Sequence, residues 1–409
     1  MGKGETRFDV VCIGSATQDV FVRSDAASLL TLSGVKEHRR LLCFDYGAKI
    51  SVEHIEFTTG GGATNTASSF ASLGARSAFL GQIGAGPQGK EVLKELEAHG
   101  VDISYHLCSA QYPTGYSVIL TSFEGDRTVL THRGASTELA EGDIDWSFLD
   151  KTDWVYVTSL SGRSGELIGP LADRASAAGV RLAVNPGSTQ LALGLEGLGD
   201  LLGRTEVLLL NKEEASRLTG KEPIKDVIIE SKCTLCGKCI EACPHNVFVR
   251  DGDHVAAAGI ERCVRCGACL PACPERAIVM EPWSFNVAES FQVLCAAGPK
   301  VVSITDGVNG VQACDGEQIW MLPAHEVPTA SSLGAGDAFG SAFVFEYRRS
   351  GDLGRALALG SANAASVVQQ IGAKNGLLNA AEADAALEGF DPGTVRRYTL
   401  GEALEALGS

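Results

Sequence analysis

Two cysteine runs of one pattern constrain this chain more than any other feature of its sequence. "CTLCGKCIEACP" (residues 233–244) and "CVRCGACLPACP" (residues 263–274) both read C-x-x-C-x-x-C-x-x-x-C-P, and they hold eight of the 13 cysteines. A segment that gathers thiols this densely folds around whatever the thiols bind. The runs therefore predict a small metal-binding unit whose fold is independent of the surrounding sequence.

The cysteine block, residues 221–282, interrupts an otherwise ordinary connection between two helix-like segments, "KEEASRLTG" and "SFNVAESFQVLCAAG". Its flanks, "DVIIES" and "AIVMEP", are predicted to pair as antiparallel strands. That pairing would bring the two ends of the block together, as an insertion into a surface loop requires. We therefore expect an inserted domain at 221–282 within a larger domain formed by 1–220 and 283–409.

Soft thiolates at this spacing suit iron–sulfur chemistry, whereas a structural zinc site usually uses four ligands in two pairs. The block resembles a bacterial two-[4Fe–4S] ferredoxin. The resemblance implies an α+β ferredoxin-like domain in which each cluster takes three cysteines from one run and the last cysteine of the other: Cys233, Cys236, Cys239 and Cys273 on one, and Cys263, Cys266, Cys269 and Cys243 on the other. Electron transfer, redox sensing and structural stapling all stay open as its purpose.

Outside the block, short buried strands such as "RLAVNPG" and "EVLLLN" alternate with helix-like segments. This alternation predicts an α/β fold with a central, mostly parallel sheet flanked by helices. Two segments, about 35–60 and 113–135, alternate like antiparallel strands, and the second is expected to turn at "EGDR". They predict a small β lid over a cleft, of the kind that excludes water from phosphoryl transfer.

The net charge of −16 argues against a nucleic-acid partner, because phosphate backbones repel such a surface. No apolar run approaches the roughly 20 residues that cross a bilayer, and the N-terminus has no signal-peptide pattern. The sequence therefore predicts a cytoplasmic protein without a membrane partner.

A glycine-rich segment, "SSLGAGDAFGSAF" (residues 331–343), carries the sharpest chemical signal. Small residues at Gly334, Ala335 and Gly336 allow successive backbone N–H groups to face one space at the start of a helix, which predicts an anion hole. Asp337 follows directly and could take a proton from a hydroxyl beside a bound phosphate.

"GAGDAFGSAF" and "TTGGGATNTASSFASLGARSAFLGQIGAGPQG" are similar to the two signatures of the PfkB, or ribokinase-like, family of sugar and nucleoside kinases. The similarity covers nearly all of the chain outside the block. It implies a ribokinase-like fold, ATP and Mg²⁺ as cofactors, and a small sugar or nucleoside as substrate. It implies Asp337 as catalytic base, with Gly334, Ala335 and Gly336 as the anion hole.

The resemblance also assigns residues to the nucleotide and substrate sides. Asn211 and Glu214 of "NKEE" would organise Mg²⁺, its water and the phosphates. The other positions are Thr305 and Gly307 at the nucleotide, Asn363 near the adenine, and Asp19, Gly61, Gly62 and Asn65 on substrate hydroxyls. Each has a structural alternative, since a glycine run is often a turn and an Asn before a helix is often a cap.

The chain departs from the family pattern at two places. Ser331, Ser332 and Leu333 precede the glycines where the family usually has Asp-Thr, which leaves dependence on a monovalent cation open. Gly86 stands where an acidic residue is common. On the acceptor side, Arg133 is either a contact for an anionic substrate or a solvated arginine of the lid.

These features predict an ATP-dependent kinase that transfers the γ-phosphoryl group to a sugar or nucleoside hydroxyl, with an inserted module for redox sensing or electron transfer. The alternative is an iron–sulfur electron-transfer protein that uses a kinase-like body as a scaffold or ligand-binding domain. A redox partner for the module and a homodimer joined through the lids stay open.

Overall fold

The computed structural model describes residues 8–23, 27–33, 38–121, 127–221, 232–244, 246–252, 254–257, 268–278 and 287–408. Its strands are β1 (Phe8–Ile13), β2 (Thr17–Arg23), β3 (Ser28–Ser33), β4 (His38–Cys43), β5 (His54–Gly60), β6 (Ser77–Leu80), β7 (Gln82–Gly84), β8 (Leu107–Ser109), β9 (Gly115–Thr121), β10 (Arg127–His132), β11 (Thr152–Val157), β12 (Arg181–Val184), β13 (Thr205–Asn211), β14 (Val249–Asp251), β15 (His254–Ala256), β16 (Val301–Thr305), β17 (Val311–Cys314), β18 (Gln318–Leu322) and β19 (Arg396–Thr399).

The α-helices of the same residues are α1 (Gly62–Ser72), α2 (Pro87–Ala98), α3 (Ile168–Ala178), α4 (Ser188–Leu191), α5 (Gly194–Leu202), α6 (Lys212–Thr219), α7 (Lys238–Ala242), α8 (Cys269–Ala272), α9 (Ala288–Ala296), α10 (Ala335–Ser350), α11 (Leu353–Val367), α12 (Ala380–Glu388) and α13 (Leu400–Gly408). None of the helices in this part of the chain combines the length and the apolar character needed to span a bilayer.

The central sheet contains nine strands in the order β19-β18-β17-β16-β13-β12-β11-β1-β6. From β6 to β16 every neighbouring pair is parallel, and β17, β18 and β19 then add antiparallel strands at one edge. The parallel strands are almost wholly apolar because helices cover both of their faces. The predicted mostly parallel α/β architecture is confirmed.

Side chains of each strand alternate between two hydrophobic layers, one on each face of the sheet. In β1, Val11 and Ile13 join one layer, while Val10 and Cys12 join the other. This alternation follows from the two-residue repeat of a strand. The first layer packs against α3, α5, α6 and α9, and the second against α1, α2, α10 and α11.

A second sheet of four strands, β10-β9-β2-β5, forms a small β element beside the central sheet, and β3 and β4 form a separate hairpin. The antiparallel pair β9 and β10 agrees with the prediction for 113–135, although residues 122–126 of its turn lie outside the described residues. The membership of β2 in this sheet is not predicted by the sequence, in which its segment directly follows the first buried strand. Gly14, at φ 151°, separates β2 from β1 and lets the chain leave the central sheet.

The cysteine block has its own small core. The described part contains α7, α8 and the antiparallel hairpin of β14 with β15, around a hydrophobic cluster that includes Val247, Phe248 and Ile278. The predicted pairing of 226–231 with 277–282 falls largely outside the described residues. The division into 1–220 with 283–409 and an inserted 221–282 stays a prediction.

Candidate active site and cysteine module

The start of α10 is built around a glycine that no other residue could replace without strain. Gly334 caps the helix in the left-handed region at φ 82°, and a Cβ there would lie 2.6 Å from the Cα of Ala373. Gly336 is exposed, and a Cβ there would meet no atom within 4 Å. The first amides of a helix have no intrahelical acceptor, so this turn presents N–H donors next to open space.

Asp337 lies in the first turn of α10, and its carboxylate is tied to α1. Asn65 Nδ2 donates a hydrogen bond of 2.8 Å to Asp337 Oδ2. The pKa of Asp337 is raised to about 6: burial has the largest effect and the nearby charge of Glu214 adds to it, while the Asn65 hydrogen bond and the charge of Lys374 act in the opposite direction. A carboxylate that titrates near neutrality suits proton transfer at physiological pH.

Of the predicted substrate residues, Asn65 contacts Asp337 directly, and Asp19 lies near Lys374, whose charge also acts on Asp337. Asp19 and Asn65 are each only 6 % exposed, and Thr17 Oγ1 donates to Asp19 Oδ1 at 3.0 Å. Burial raises the pKa of Asp19, against hydrogen bonds from Ser117 and Thr17 that lower it. Asn65 Oδ1 is buried without a hydrogen-bond partner among the described residues. An acceptor atom in that state is available to a hydroxyl donor.

The glycines before α1 have a packing function of their own. Gly61, at φ 102°, would place a Cβ 2.5 Å from the carbonyl oxygen of Ser15, and a Cβ on Gly62 would lie 2.8 Å from Thr158 Cβ. Glycine at both positions allows the start of α1 to lie against the ends of β1 and β11. Contact of Gly61 and Gly62 with substrate stays a prediction.

Asn211 and Glu214 form a capping box at the start of α6. Glu214 N donates to Asn211 Oδ1, and Asn211 N donates to Glu214 Oε2, both at 2.8 Å. Asn211 therefore caps α6, which is the structural alternative that its sequence position allowed. Burial raises the pKa of Glu214. Its charge also acts on Asp337, so the box borders the site.

A cleft of about 360 Å³ lies on the other side of the α10 turn. It is lined by Thr305, Gly307, Ala335 and Gly336, together with apolar side chains that include Phe339. The structure thus brings the predicted nucleotide residues at the end of β16 to the same cavity as the predicted anion hole.

Asn363 is not brought to the cleft. Its side chain is fully buried, donating to Ser69 Oγ at 3.1 Å and to the Ala338 carbonyl at 2.9 Å, and accepting from Leu378 N at 2.9 Å. These bonds hold α1, α10 and α11 together. Residues 361, 364 and 365 of the same helix line the cleft instead.

A partly buried ion pair that no sequence motif predicts lies near Asp19 and Asp337. Lys374 Nζ lies 3.1 Å from Glu95 Oε1, and Thr59 Oγ1 donates to Glu95 Oε2 at 2.6 Å. Lys374 also contacts the Thr59 hydroxyl. Lys374 and Glu95 are 279 positions apart and belong to no motif, so no signal in the sequence pairs them.

In the cysteine module, Cys233, Cys236, Cys239 and Cys273 line one cavity. This is the set that the ferredoxin resemblance implies for one cluster. Ala277 N donates to Cys273 Sγ at 3.2 Å. Burial raises the pKa of Cys239, and the neighbouring Cys233 and Cys236 raise it further.

The remaining cysteine ligands are placed only in part. Cys243 and Cys269 are buried in the module's hydrophobic cluster. Cys263 and Cys266 lie outside the described residues. Within the described ranges, no three His, Cys, Asp or Glu side chains converge closely enough for a single metal ion. Four thiols spaced around a cavity, as at Cys233 and its neighbours, fit a multi-atom iron–sulfur cluster.

Comparison with known proteins agrees with both halves of this description. The profile described as "pfkB family carbohydrate kinase" matches residues 8–268 and 283–380, and the profile described as "4Fe-4S binding domain" matches residues 260–279. An uncharacterized sugar kinase of Archaeoglobus fulgidus is 21 % identical over 305 residues, covering 75 % of this chain and 96 % of that protein.

Two further relatives extend the comparison. An ATP-dependent ribose-1-phosphate kinase of Halopiger xanaduensis is 21 % identical over 316 residues, covering 77 % of this chain and 82 % of that protein. The structure of Arabidopsis thaliana ribokinase complexed with ribose and ATP superposes with a TM-score of 0.63 at 19 % identity, covering 94 % of this chain and all of that one. At such identity, the structural likeness shows the fold alone.

Proposed function

From the premise that this chain belongs to the pfkB family of carbohydrate kinases, we propose that it transfers the γ-phosphoryl group of ATP to a hydroxyl of a sugar or nucleoside. The observation that carries this proposal is the position of Asp337. Its carboxylate is hydrogen-bonded to Asn65 on the acceptor side, and Asp337 lies in the same first turn of α10 as Ala335 and Gly336, which line the cleft.

In the proposed reaction, Asp337 accepts the proton of the acceptor hydroxyl as the hydroxyl oxygen forms its bond to the γ-phosphorus. The bond between the γ-phosphorus and the bridging oxygen breaks, and ADP leaves with that electron pair. The backbone amides of the Gly334–Gly336 turn hold the negative charge of the transferred group. Asp337 then releases its proton to solvent.

Asn211 and Glu214 are the residues that would hold Mg²⁺ and its water. A bound Mg²⁺ neutralises phosphate charge during transfer. The carbonyl and carboxylate oxygens of these half-buried side chains are suitable ligands for that ion or its water shell, and the charge of Glu214 already acts on Asp337. The capping box fixes both side chains before any ligand arrives.

We place uncharged acceptors first among the candidates. Asp19, Glu95 and Asp337 crowd the acceptor side, and the cation among them, Lys374, is already paired with Glu95. Excess negative charge disfavours a second phosphate there. The exposed Arg133 is the cation that would serve an anionic acceptor such as ribose 1-phosphate.

The test is an anaerobic screen of ATP consumption over sugars, sugar phosphates and nucleosides, with the Asp337→Asn variant as the blank. We expect turnover above this blank with at least one uncharged polyol. A preference for sugar phosphates that disappears in Arg133→Met would instead place anionic acceptors ahead of uncharged ones. No turnover above the blank with any acceptor would overturn the kinase proposal.

For the inserted module, we propose two [4Fe–4S] clusters. The first is held by Cys233, Cys236, Cys239 and Cys273, and the second by Cys243, Cys263, Cys266 and Cys269. The shared cavity of the first four supports this assignment. Such clusters carry single electrons at low potential. Iron and sulfide analysis of anaerobically purified protein should give about eight of each per chain, and about four would mean one cluster.

A redox-sensing role for the module is supported by the way it joins the body. It follows α6, whose first residues are next to the site, and precedes α9. At the junction, the hydroxyls of Thr219 and Ser290 lie 3.3 Å apart, and Lys221 Nζ lies 3.7 Å from Glu289 Oε2. Phosphorylation rates of the reduced, oxidised and cluster-free protein would then differ. Equal rates would exclude sensing, and electron transfer without any turnover would favour the scaffold alternative.

A further inference from the structure

The segment 371–376, "IGAKNG", runs between the two sides of the proposed active site. On one side, Ala373 packs so closely on Gly334 that a Cβ on that glycine would lie 2.6 Å from Ala373 Cα. On the other side, Gly372, at φ 98°, lies against Thr58 of β5. This segment therefore contacts both the α10 turn and the strand that leads into the acceptor side.

Lys374, at the centre of this segment, reaches the acceptor side rather than solvent. Its side chain is 4 % exposed, its Nζ is 3.1 Å from Glu95 Oε1, and it contacts the hydroxyl of Thr59. Thr59 in turn donates to Glu95 Oε2. The ammonium group of Lys374 thus contacts strand β5 and helix α2, while the adjacent Ala373 packs on the α10 turn.

The charged surroundings of Lys374 include the site itself. The charge of Lys374 acts on the carboxylates of Glu95, Asp19 and Asp337. The pKa of His99 is lowered mainly by burial and also by the charge of Lys374. Asp337 also faces the amide of Asn65 on α1 and the carboxylate of Glu214 on α6. The other titratable groups that face Asp337 are buried and neutral: Cys12 of β1 and Tyr156 of β11.

A buried ion pair is a weak source of stability, because apolar residues of the same volume usually stabilise a core as well or better. The Lys374–Glu95 pair nevertheless connects β5 and α2 to a segment whose Ala373 packs on the α10 turn. We propose that Lys374 is a positioning residue for phosphoryl transfer, which holds β5 and α2 in register with the Gly334 turn and presents a positive charge to Asp337. This inference rests on the proposed kinase function.

Two consequences distinguish positioning from mere packing. Loss of the ammonium group removes a positive charge near Asp337, so the pKa of that carboxyl rises and the acid limb of the activity profile moves to higher pH. Loss of the Lys374–Glu95 ion pair also loosens the packing of Ala373 on the Gly334 turn, so the affinity for nucleotide falls. This fall can be measured by binding alone, without turnover. If Lys374 served only packing, its loss would change the stability of the fold but would leave the acid limb and the nucleotide affinity unchanged.

The experiment compares Lys374→Arg, Lys374→Met and the double variant Lys374→Met/Glu95→Met. The double variant removes both charges, so no unpaired carboxylate stays buried. Lys300→Met is the matched control, because Lys300 pairs with Glu206 at 2.8 Å on the surface, away from the site. Far-UV circular dichroism and thermal melting first establish that each variant folds.

The measurements are kcat and KM between pH 5 and 9, and calorimetric binding of a non-hydrolysable ATP analogue. In the double variant we expect kcat lower by about tenfold or more and analogue affinity weaker by about fivefold, and in Lys374→Met, which keeps the Glu95 carboxylate, an acid limb about half a unit or more higher. Lys374→Arg should keep the wild-type limb, and Lys300→Met should match wild type throughout.

A folded double variant with wild-type kcat and analogue affinity, together with a wild-type acid limb in Lys374→Met, would overturn the inference. Failure of the kinase proposal gives a different pattern, in which wild-type protein shows no turnover above Asp337→Asn. In that case analogue binding still decides whether Lys374 positions the turn: a weakened affinity supports it, and an unchanged affinity rejects it.

Discussion

The kinase body and the cysteine module, which is the cysteine block at 221–282, are stabilised by different interactions. The body buries two large apolar layers on either face of a nine-stranded sheet. The described module has a single small cluster, in which Cys239, Cys243 and Cys269 are themselves core members. A unit of this size cannot bury enough apolar surface to be stable alone. The body can therefore fold without a ligand, whereas the module depends on what its thiols bind.

A glycine caps the start of a helix in both regions, but its surroundings differ. Gly334 and Gly237 both cap a helix from the left-handed region, at φ 82° and 75°. Around Gly334 the backbone of Ala373 leaves no space for a side chain, whereas a Cβ on Gly237 would meet nothing within 4 Å. A glycine before a helix is thus a local turn in the module and a tertiary contact in the body.

The largest effect should come from Asp337→Asn. An amide cannot accept the proton of the acceptor hydroxyl, so kcat should fall by about 10³-fold. The iron content and visible absorption should be unchanged, because the change lies in the body. Steady-state kinetics and iron analysis of one preparation test both statements, and loss of iron with activity would show that the two regions are not independent.

Removal of iron should affect the cysteine module and leave the body almost unchanged. Because thiol ligation stabilises the module, anaerobic chelation should abolish hydrogen-exchange protection in its described residues, 232–244, 246–252, 254–257 and 268–278. The body's melting temperature should change by less than about 1 °C, because the body loses no ligand, and for a region of this size a change of about 1 kcal/mol in the free energy of unfolding shifts the melting temperature by roughly 1–2 °C. Exchange mass spectrometry of the iron-loaded and iron-free chain gives both values. A protected iron-free module would contradict the ligation argument.

The two capping glycines provide a matched pair of variants. Gly334→Ala combines left-handed strain with a clash against Ala373, so we expect a loss of roughly 2–4 kcal/mol and weakened nucleotide binding. Gly237→Ala carries the strain alone and should cost about 1 kcal/mol, confined to the module. Chemical denaturation followed by tryptophan fluorescence reports the body, and hydrogen exchange reports the module. Equal losses would mean that the Ala373 contact contributes nothing.

The smallest effect concerns the stability cost of the active-site carboxyl. The pKa of Asp337 is raised to about 6 in the folded chain. Ionising it therefore opposes folding, and its contribution to stability falls as the pH rises from about 4 to 6. Asp337→Asn should stabilise the body by roughly 1–3 kcal/mol at pH 8 and by almost nothing near pH 4. Denaturation at both pH values checks the sign, and destabilisation at pH 8 would refute it.

Much of this arrangement could be predicted from short sequence patterns. The "GAGD" turn, the "NKEE" box and the four cysteines of one cavity each depend on residues whose spacing is local or repeated, so their types and spacing carry the information. Lys374 and Glu95 carry no such pattern, because a single charge in a polar-looking segment does not reveal that it is buried. Asn363 shows the reverse case, in which a residue expected at the cleft lies one helix face away from it.

The family, the mostly parallel α/β sheet and a distinct iron–sulfur unit were determined by the sequence alone. Motif spacing and apolar periodicity are properties of neighbouring residues, so they can be read without coordinates. Only the tertiary structure decided that β2 pairs in the four-stranded sheet, that Asn211 caps α6, and that Lys374 pairs with Glu95. Each of those facts depends on which distant backbone segment closes on the residue, and burial by a distant segment changes both the charge and the hydrogen bonds that it can keep.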